Sequence, residues 1–365
     1  MKRIYLIGAL LGAICATTSC SSDEDFKNQI DESNAIQFGT YVGRNSKLLS
    51  TKAIENLDSL KKQGFGVFAF YTGQDDWNSY LGGGRGDTPN YMNNQKVEWK
   101  DGAWTYSPLK YWPNNTGDKV SFFAYAPYDA SKAWKTNSVG YITFTVDNDV
   151  TKQVDLLCCK GVTNQKKQST TGKVTFNFQH ALARIGFTAA YAADETTVGN
   201  NKLYPNTTIT INKVVLRKVG TTTDEGAFYT NGDLSMLNND WNSSRSQGLQ
   251  AFTLRPLNFE SNELNSTVNK IDLLNKKDSY IMIIPQNTEF EVYIEYTVTT
   301  TDSSLPDGKS EIVNKITTPV DAINFEANKS YTLNLVLGMT SVKIDAVYND
   351  WENGDSKTVN LPANN

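Results

Sequence analysis

Short runs in which Val, Ile, Tyr, Phe and Thr alternate with polar residues recur along most of the chain, broken by clusters of Gly, Pro, Asn and Asp. A period of two puts successive side chains on opposite faces of an extended strand, so the pattern predicts an all-β protein. The runs fall at 35–42, 64–71, 95–100, 103–107, 119–126, 141–146 and 154–159. A second set falls at 173–178, 181–191, 207–219, 280–285, 291–299, 311–316, 331–337 and 342–351. Residues 64–71 and 120–126 are apolar at nearly every position and read as central strands buried on both faces. In 291–299, Val292, Ile294, Tyr296 and Val298 are directed to a core while Glu291, Glu295 and Thr297 face water; Tyr331, Leu333, Leu335 and Leu337 repeat the alternation. Asp101-Gly102 tolerates the positive φ angles of a two-residue hairpin turn, which pairs Trp99 with Trp104 and Val97 with Tyr106. A short helix is expected within 53–62, and 201–206 and 231–275 read as long loops or insertions.

Antiparallel sheets packed face to face satisfy this alternation. The polar stretch 164–171 is the expected boundary, which gives a first β-sandwich at 35–168 and a second at 169–365. Ahead of them, Lys2 and Arg3 precede an apolar run at 4–14 and small residues leading to Cys20, the layout of a secretory leader at 1–20. That run is shorter than the roughly 20 apolar residues a bilayer span needs. Thr17-Thr18-Ser19-Cys20 resembles a lipoprotein lipobox in which Cys20 is acylated, although Thr17 stands where Leu is usual. Residues 21–34 are polar and acidic apart from Phe26 and Ile30 and are expected to form a disordered tether. Ser21-Ser22-Asp23-Glu24-Asp25 resembles the export signal of surface lipoproteins in the Bacteroides group; a plain solvated spacer is the alternative. Together these place the chain on the outer membrane, held through a lipid anchor.

Charge and reactive residues narrow the function. With 35 Lys and Arg against 39 Asp and Glu, and no basic cluster, nothing favours nucleic acid as a partner. Cys158 and Cys159 are adjacent in a strand and point to opposite faces, so no bridge between them is expected. The single histidine, His180, continues the apolar face of its strand and reads as structural; one His and two adjacent Cys cannot assemble a metal cluster. Asp75-Asp76 before Trp77 reads as a solvated turn, and Gly82-Gly83-Gly84-Arg85-Gly86 lacks the Lys-Ser/Thr ending of a phosphate loop. The expectation is a protein that is not an enzyme and carries no cofactor or metal. Arg85-Gly86-Asp87 resembles the integrin-binding tripeptide and is a candidate adhesion loop; a glycine loop without a ligand is the plainer reading. Trp77, Tyr80, Tyr91, Trp104, Tyr111 and Trp112 could stack on sugars or dock proteins, but they suit core and hairpin positions better.

A series of ordered landmarks resembles the fimbrillin family, the type V pilins and related adhesins of Bacteroides-like bacteria. The landmarks are Gly64-Phe65-Gly66-Val67-Phe68-Ala69-Phe70-Tyr71, Lys110-Tyr111-Trp112-Pro113, Ser121-Phe122-Phe123-Ala124-Tyr125-Ala126-Pro127-Tyr128, Val154-Asp155-Leu156-Leu157, His180-Ala181-Leu182-Ala183-Arg184-Ile185, Ile283-Ile284-Pro285-Gln286 and Tyr331-Thr332-Leu333-Asn334-Leu335. The resemblance implies two transthyretin-like sandwiches in tandem, lipoprotein export, and assembly after an Arg- or Lys-specific protease removes the first strand. Loss of a strand bares a hydrophobic groove and unpaired backbone groups, which a strand from another fimbrial subunit fills. The removable strand is then 35–42, with Ile36 and Phe38, and Thr40 in the same row, turned inward. Arg44, Lys47 and Lys52 are the candidate cleavage positions, and Thr51-Lys52-Ala53 resembles a family Thr-Arg-Ala site. Val347-Tyr348-Asn349-Asp350-Trp351 looks like the closing strand, and 357–362 is a short tail with Val359, Leu361 and Pro362 apolar, which leaves stalk, tip, anchor and accessory roles open. The expected function is a structural or adhesive fimbrial subunit, with a receptor on a host or bacterial surface in the adhesive case. The alternative is a non-polymerising surface lipoprotein that binds glycan or host protein.

Overall fold

A computed structural model describes residues 34–42, 57–135, 140–170, 172–192, 196–198, 201–203, 206–242, 247–254, 263–265, 270–274, 280–338, 342–351 and 356–359. Cys20, the acidic stretch after it, and Arg44, Lys47 and Lys52 lie outside the described residues.

Strands make up most of the described chain. The first part runs β1 (Gln37–Val42), α1 (Leu57–Gln63), β2 (Phe65–Gly73), α2 (Trp77–Gly82), β3 (Met92–Lys100), β4 (Ala103–Thr105), β5 (Lys119–Ala126), β6 (Tyr141–Thr145), β7 (Leu157–Cys158) and β8 (Val162–Gln165). It continues with α3 (Lys167–Thr170), β9 (Lys173–His180), β10 (Ala183–Tyr191), β11 (Thr196–Val198), β12 (Asn201–Leu203), β13 (Thr207–Arg217) and β14 (Phe228–Ser235). Then come β15 (Gln247–Gln250), β16 (Phe252–Leu254), β17 (Glu263–Leu264), β18 (Lys270–Leu274) and β19 (Ile281–Ile283). The last are β20 (Gln286–Thr301), β21 (Lys309–Phe325), β22 (Lys329–Leu337), β23 (Val342–Asp350) and β24 (Ser356–Val359).

One sheet has the order β1-β9-β7-β5-β2-β3-β4, with β8 also on β5. A second runs β18-β10-β22-β23-β24, with β19 also on β10, and a third runs β16-β13-β20-β21, with β17 also on β13. A three-stranded sheet β15-β14-β6 and the pair β11-β12 complete the described set.

Residue pattern explains the layers. Along β2 and β5 nearly every side chain is buried, as their apolar runs require. Phe65, Val67, Val120, Phe122 and Ala124 face one core together with Ile36, Phe38, Val174, Phe176 and Phe178. The opposite face of the same strands, Phe68, Phe70, Phe123 and Tyr125, enters a second core that continues through β10, β13, β20 and β22. Cys158 and Cys159 follow the same rule: both are buried and free, one in each core. The expected rows Val292, Ile294, Tyr296 and Val298, and Tyr331, Leu333, Leu335 and Leu337, are buried. Asp101 and Gly102 have φ of 51° and 83°, and the turn they form sets Trp99 opposite Trp104 with their rings 5.2 Å apart.

Several strand-level expectations are corrected. β9, read from sequence as opening the second set, pairs parallel with β1 and antiparallel with β7 in the first sheet. Asn164 and Gln165 therefore end β8, and the polar residues after them lead to β9 within the same sheet. β6 pairs with β14, not with the strands that precede it. Two ladders, β1–β9 and β10–β22, are parallel within an otherwise antiparallel arrangement. The stretch 231–275 is not a loop: it contains the end of β14 and all of β15 to β18. Its polar residues pair across strands, with Asn231 Nδ2 donating to Thr145 Oγ1 at 2.7 Å and Thr143 Oγ1 to Asp233 Oδ1 at 2.5 Å. β4 ends at Thr105, so Tyr106 leaves the hairpin ladder instead of pairing with Val97, which pairs with Phe65.

Candidate functional site

The first strand closes the first sheet and one of its two cores. Along β1 and the residue before it, the row Ile36, Phe38, Thr40 and Val42 turns inward: Ile36, Phe38 and Val42 are 1%, 3% and 7% exposed, and Thr40 is half-buried. Phe38 sits inside an aromatic cage. Its ring stacks on Phe176 at 5.4 Å, meets Phe65 and Phe122 edge-on at 6.1 Å each, and lies 5.2 Å from Tyr106.

This segment is hydrogen-bonded from two sides. On one side β9 pairs with it from Gln37 to Val42. On the other, Ile36 N donates to Lys110 O at 2.9 Å, Tyr106 Oη donates to Ile36 O at 2.8 Å, and Trp104 Nε1 donates to Thr40 Oγ1 at 3.0 Å. Trp112, itself buried, donates its backbone N–H to Asn34 O and its indole N–H to Gly172 O. Burial pushes the Tyr106 phenol up to about 12, so it stays a neutral donor to the strand. β1 and β4 stand at opposite ends of the sheet order, and the Trp104 bond joins them, so the sheet curls round β1. Taking β1 away would uncover Phe65, Phe122 and Phe176 and free one edge of β9.

A profile of the fimbrillin-like family matches residues 51–351. This chain belongs to the fimbrillin-like family. Fimbrium subunit Fim1C of Phocaeicola vulgatus is 24% identical to this fimbrillin-like chain over 400 residues, with 99% of each chain covered. The crystal structure of a fimbrial protein from Bacteroides vulgatus shares its fold, with a TM-score of 0.66 at 21% identity, across 87% of this chain and 99% of that one.

The other candidate residues of this fimbrillin-like protein fall at separate places. Arg85 is ion-paired with Asp75 and lies over the Tyr80 ring at 4.5 Å. Gly86 O accepts a bond from Trp134 Nε1 at 3.0 Å, and a Cβ at Gly86 would fall 2.2 Å from Leu81 Cδ2. Asp87 is exposed. The tripeptide is thus pinned at its first two residues with its carboxylate open to solvent. Of the aromatics weighed as ligand platforms, Trp77, Tyr80 and Trp112 are core residues.

His180 is buried, with Nδ1 2.7 Å from Asp155 Oδ2 and its ring stacked on Trp351 at 4.1 Å. Glu291, expected to face water, is buried against Arg217 Nε at 2.7 Å and also accepts from Gly220 N at 2.9 Å. That pair lines an open hollow of about 720 Å³ and ties the loop after β13 to β20. Among the described residues, no group of three or more His, Cys, Asp or Glu could hold a metal ion, and no helix is long and apolar enough to cross a membrane.

The sequence named Ile36 and Phe38 but missed Tyr106, Trp104, Trp112 and Phe176 as the walls around them. Phe176 was visible only as a member of an alternating strand. Its placement beside Phe38 follows from the parallel β1–β9 register, which no local pattern encodes.

Proposed function

We propose that this chain is a subunit of a cell-surface fimbria, without enzymatic activity, that assembles by strand replacement. It is exported as a lipoprotein acylated at Cys20 and held on the outer membrane. An Arg- or Lys-specific protease then cuts in the segment carrying Arg44, Lys47 and Lys52, the strand 35–42 leaves, and a strand of another subunit takes its slot. Two sandwiches in tandem, the first taking in β9 beyond the boundary read from sequence, form the body of the subunit in this reading, with residues 21–34 as its tether.

The burial of Ile36, Phe38 and Val42 in an aromatic-walled slot carries the proposal. A strand whose side chains were solvent-facing would leave no groove on departure; this one leaves apolar walls and an open ladder edge, both of which a donor strand satisfies. Similarity over 99% of both chains to a protein named a fimbrium subunit supports the same reading.

Limited digestion of the purified precursor with trypsin tests it. The expected result is cleavage between β1 and α1 followed by a ladder of oligomers that resists mild heating in detergent. Clean cleavage that leaves a monomer would favour a non-polymerising surface lipoprotein. Adhesion is assigned to exposed loops, with Arg85-Gly86-Asp87 the candidate; unchanged host-cell attachment by Asp87→Ala would remove that loop from the mechanism.

A further inference from the structure

The third sheet ends in an open edge. Among the described strands, β21 is hydrogen-bonded on one side only: it pairs with β20 from Lys309 to Phe325, and β23, which comes near it, makes no ladder with it. Soluble proteins usually blunt so long an edge. Pro319 does so in the second half of β21, but the stretch from Lys309 to Thr318 contains no proline. Ile312 and Val313 within it are 56% and 55% exposed, on opposite faces of the strand. Ile312 pairs with Val298, which is 2% exposed, so the apolar row of the core face runs out to the edge and stops there uncovered.

The charges on this stretch are self-complementary. Consider two copies of β21 set antiparallel about a two-fold axis through Val313. Glu311 of each copy then stands opposite Lys315 of the other, Val313 stands opposite Val313, and Ile312 lies diagonal to the second copy's Ile312. Moving the axis to Ile312 sets Lys309 against Lys315, and moving it to Asn314 leaves Glu311 facing Thr317. Of these three axes, only the one at Val313 sets Glu311 against Lys315 in both directions. The ion pairs these residues make within one chain, Lys309 with Glu311 and Lys315 with Glu295, are solvent-exposed and easily exchanged.

We propose that the Lys309–Thr317 stretch of β21 is a homodimer edge, and that two copies join their five-stranded sheets into one continuous sheet across a two-fold axis at Val313. The partner is a second copy of this chain. The contact uses none of the residues around β1 and needs no cleavage, so it would add lateral pairing to a subunit that polymerises through its first strand. Success or failure of either reading leaves the other standing.

The full-length chain, uncut and carrying Cys15→Ser and Cys20→Ser, is suited to the test because its remaining thiols, Cys158 and Cys159, are buried. Directly opposed residues of an antiparallel pair have Cα atoms about 4.5–5.5 Å apart, within disulfide reach. Adding Val313→Cys should give a disulfide-linked dimer on mild oxidation, while Thr317→Cys, which faces Lys309, should remain monomeric. In sedimentation experiments without oxidation, Glu311→Lys should weaken dimerisation by about tenfold or more, and Glu311→Lys with Lys315→Glu should restore it. Circular dichroism confirms that these surface variants fold. A chain that stays monomeric at all concentrations, equal cross-linking of Val313→Cys and Thr317→Cys, or a dimer indifferent to Glu311→Lys would each overturn the proposal.

Discussion

Phe38 shows how much one side chain can hold. It is almost wholly buried and touches four aromatic rings, so Phe38→Ala removes both its transfer free energy and the packing of its neighbours. A loss of about 3–5 kcal/mol is expected, measured as a lower urea midpoint. Tyr106 supplies a second handle on the same strand. Burial raises its folded-state pKa to about 12, above the ordinary 10, so the fold holds the phenol proton more tightly than the unfolded chain does. Its contribution is complete below pH 10 and is lost as pH rises through 12. Tyr106→Phe should therefore flatten part of the fall in stability across that interval. At neutral pH it should cost about 1 kcal/mol for the lost bond to Ile36 O. An unchanged alkaline titration of stability in Tyr106→Phe would separate this tyrosine from the strand. At this scale the sequence was legible where a residue's neighbours in the chain define its face, as for Ile36 and Phe38. It was misleading at Glu291, whose carboxylate is drawn inside by Arg217, a partner 74 positions away.

At the scale of elements, clean alternation was a reliable guide. β20 and β22 lie where their two-residue period places them, because burial of one face is decided locally. β15 to β18 escaped notice because they are short and sit in Asn- and Ser-rich sequence. The membership of β9 was hidden for another reason: its ladder to β1 joins residues far apart in the chain, and only the folded register shows it. That ladder makes a prediction about β1 as a removable part. After cleavage between β1 and α1, and separation of the fragments in denaturant, the refolded remainder should bind a labelled peptide of residues 35–42. The same peptide with Phe38→Asp should not bind, since a carboxylate would be buried among Phe65, Phe122 and Phe176 without a partner. Fluorescence anisotropy reads the difference directly.

On the scale of the whole molecule, the first sheet is covered on both faces, and this joins the strands read from sequence as two sets. The all-β class was legible from composition and period. The interlocking of the two sets was not, because it depends on which apolar face meets which, a choice made by packing. In the proposed reading the molecule is held to the cell through Cys20, which lies outside the described residues. Cys20→Ser should abolish labelling of the protein by palmitate and release it from the membrane fraction, while the urea midpoint of the folded part stays unchanged. Finally, the adjacent thiols of Cys158 and Cys159 sit back to back, one in each core. Burial raises the Cys159 thiol to about 12 and the Cys158 thiol well above its ordinary range, so neither reacts until its surroundings part. Single-cysteine variants under an alkylating pulse thus give two clocks one peptide bond apart. Equal rates mean the interior comes undone as a unit, and unequal rates name the half that yields first.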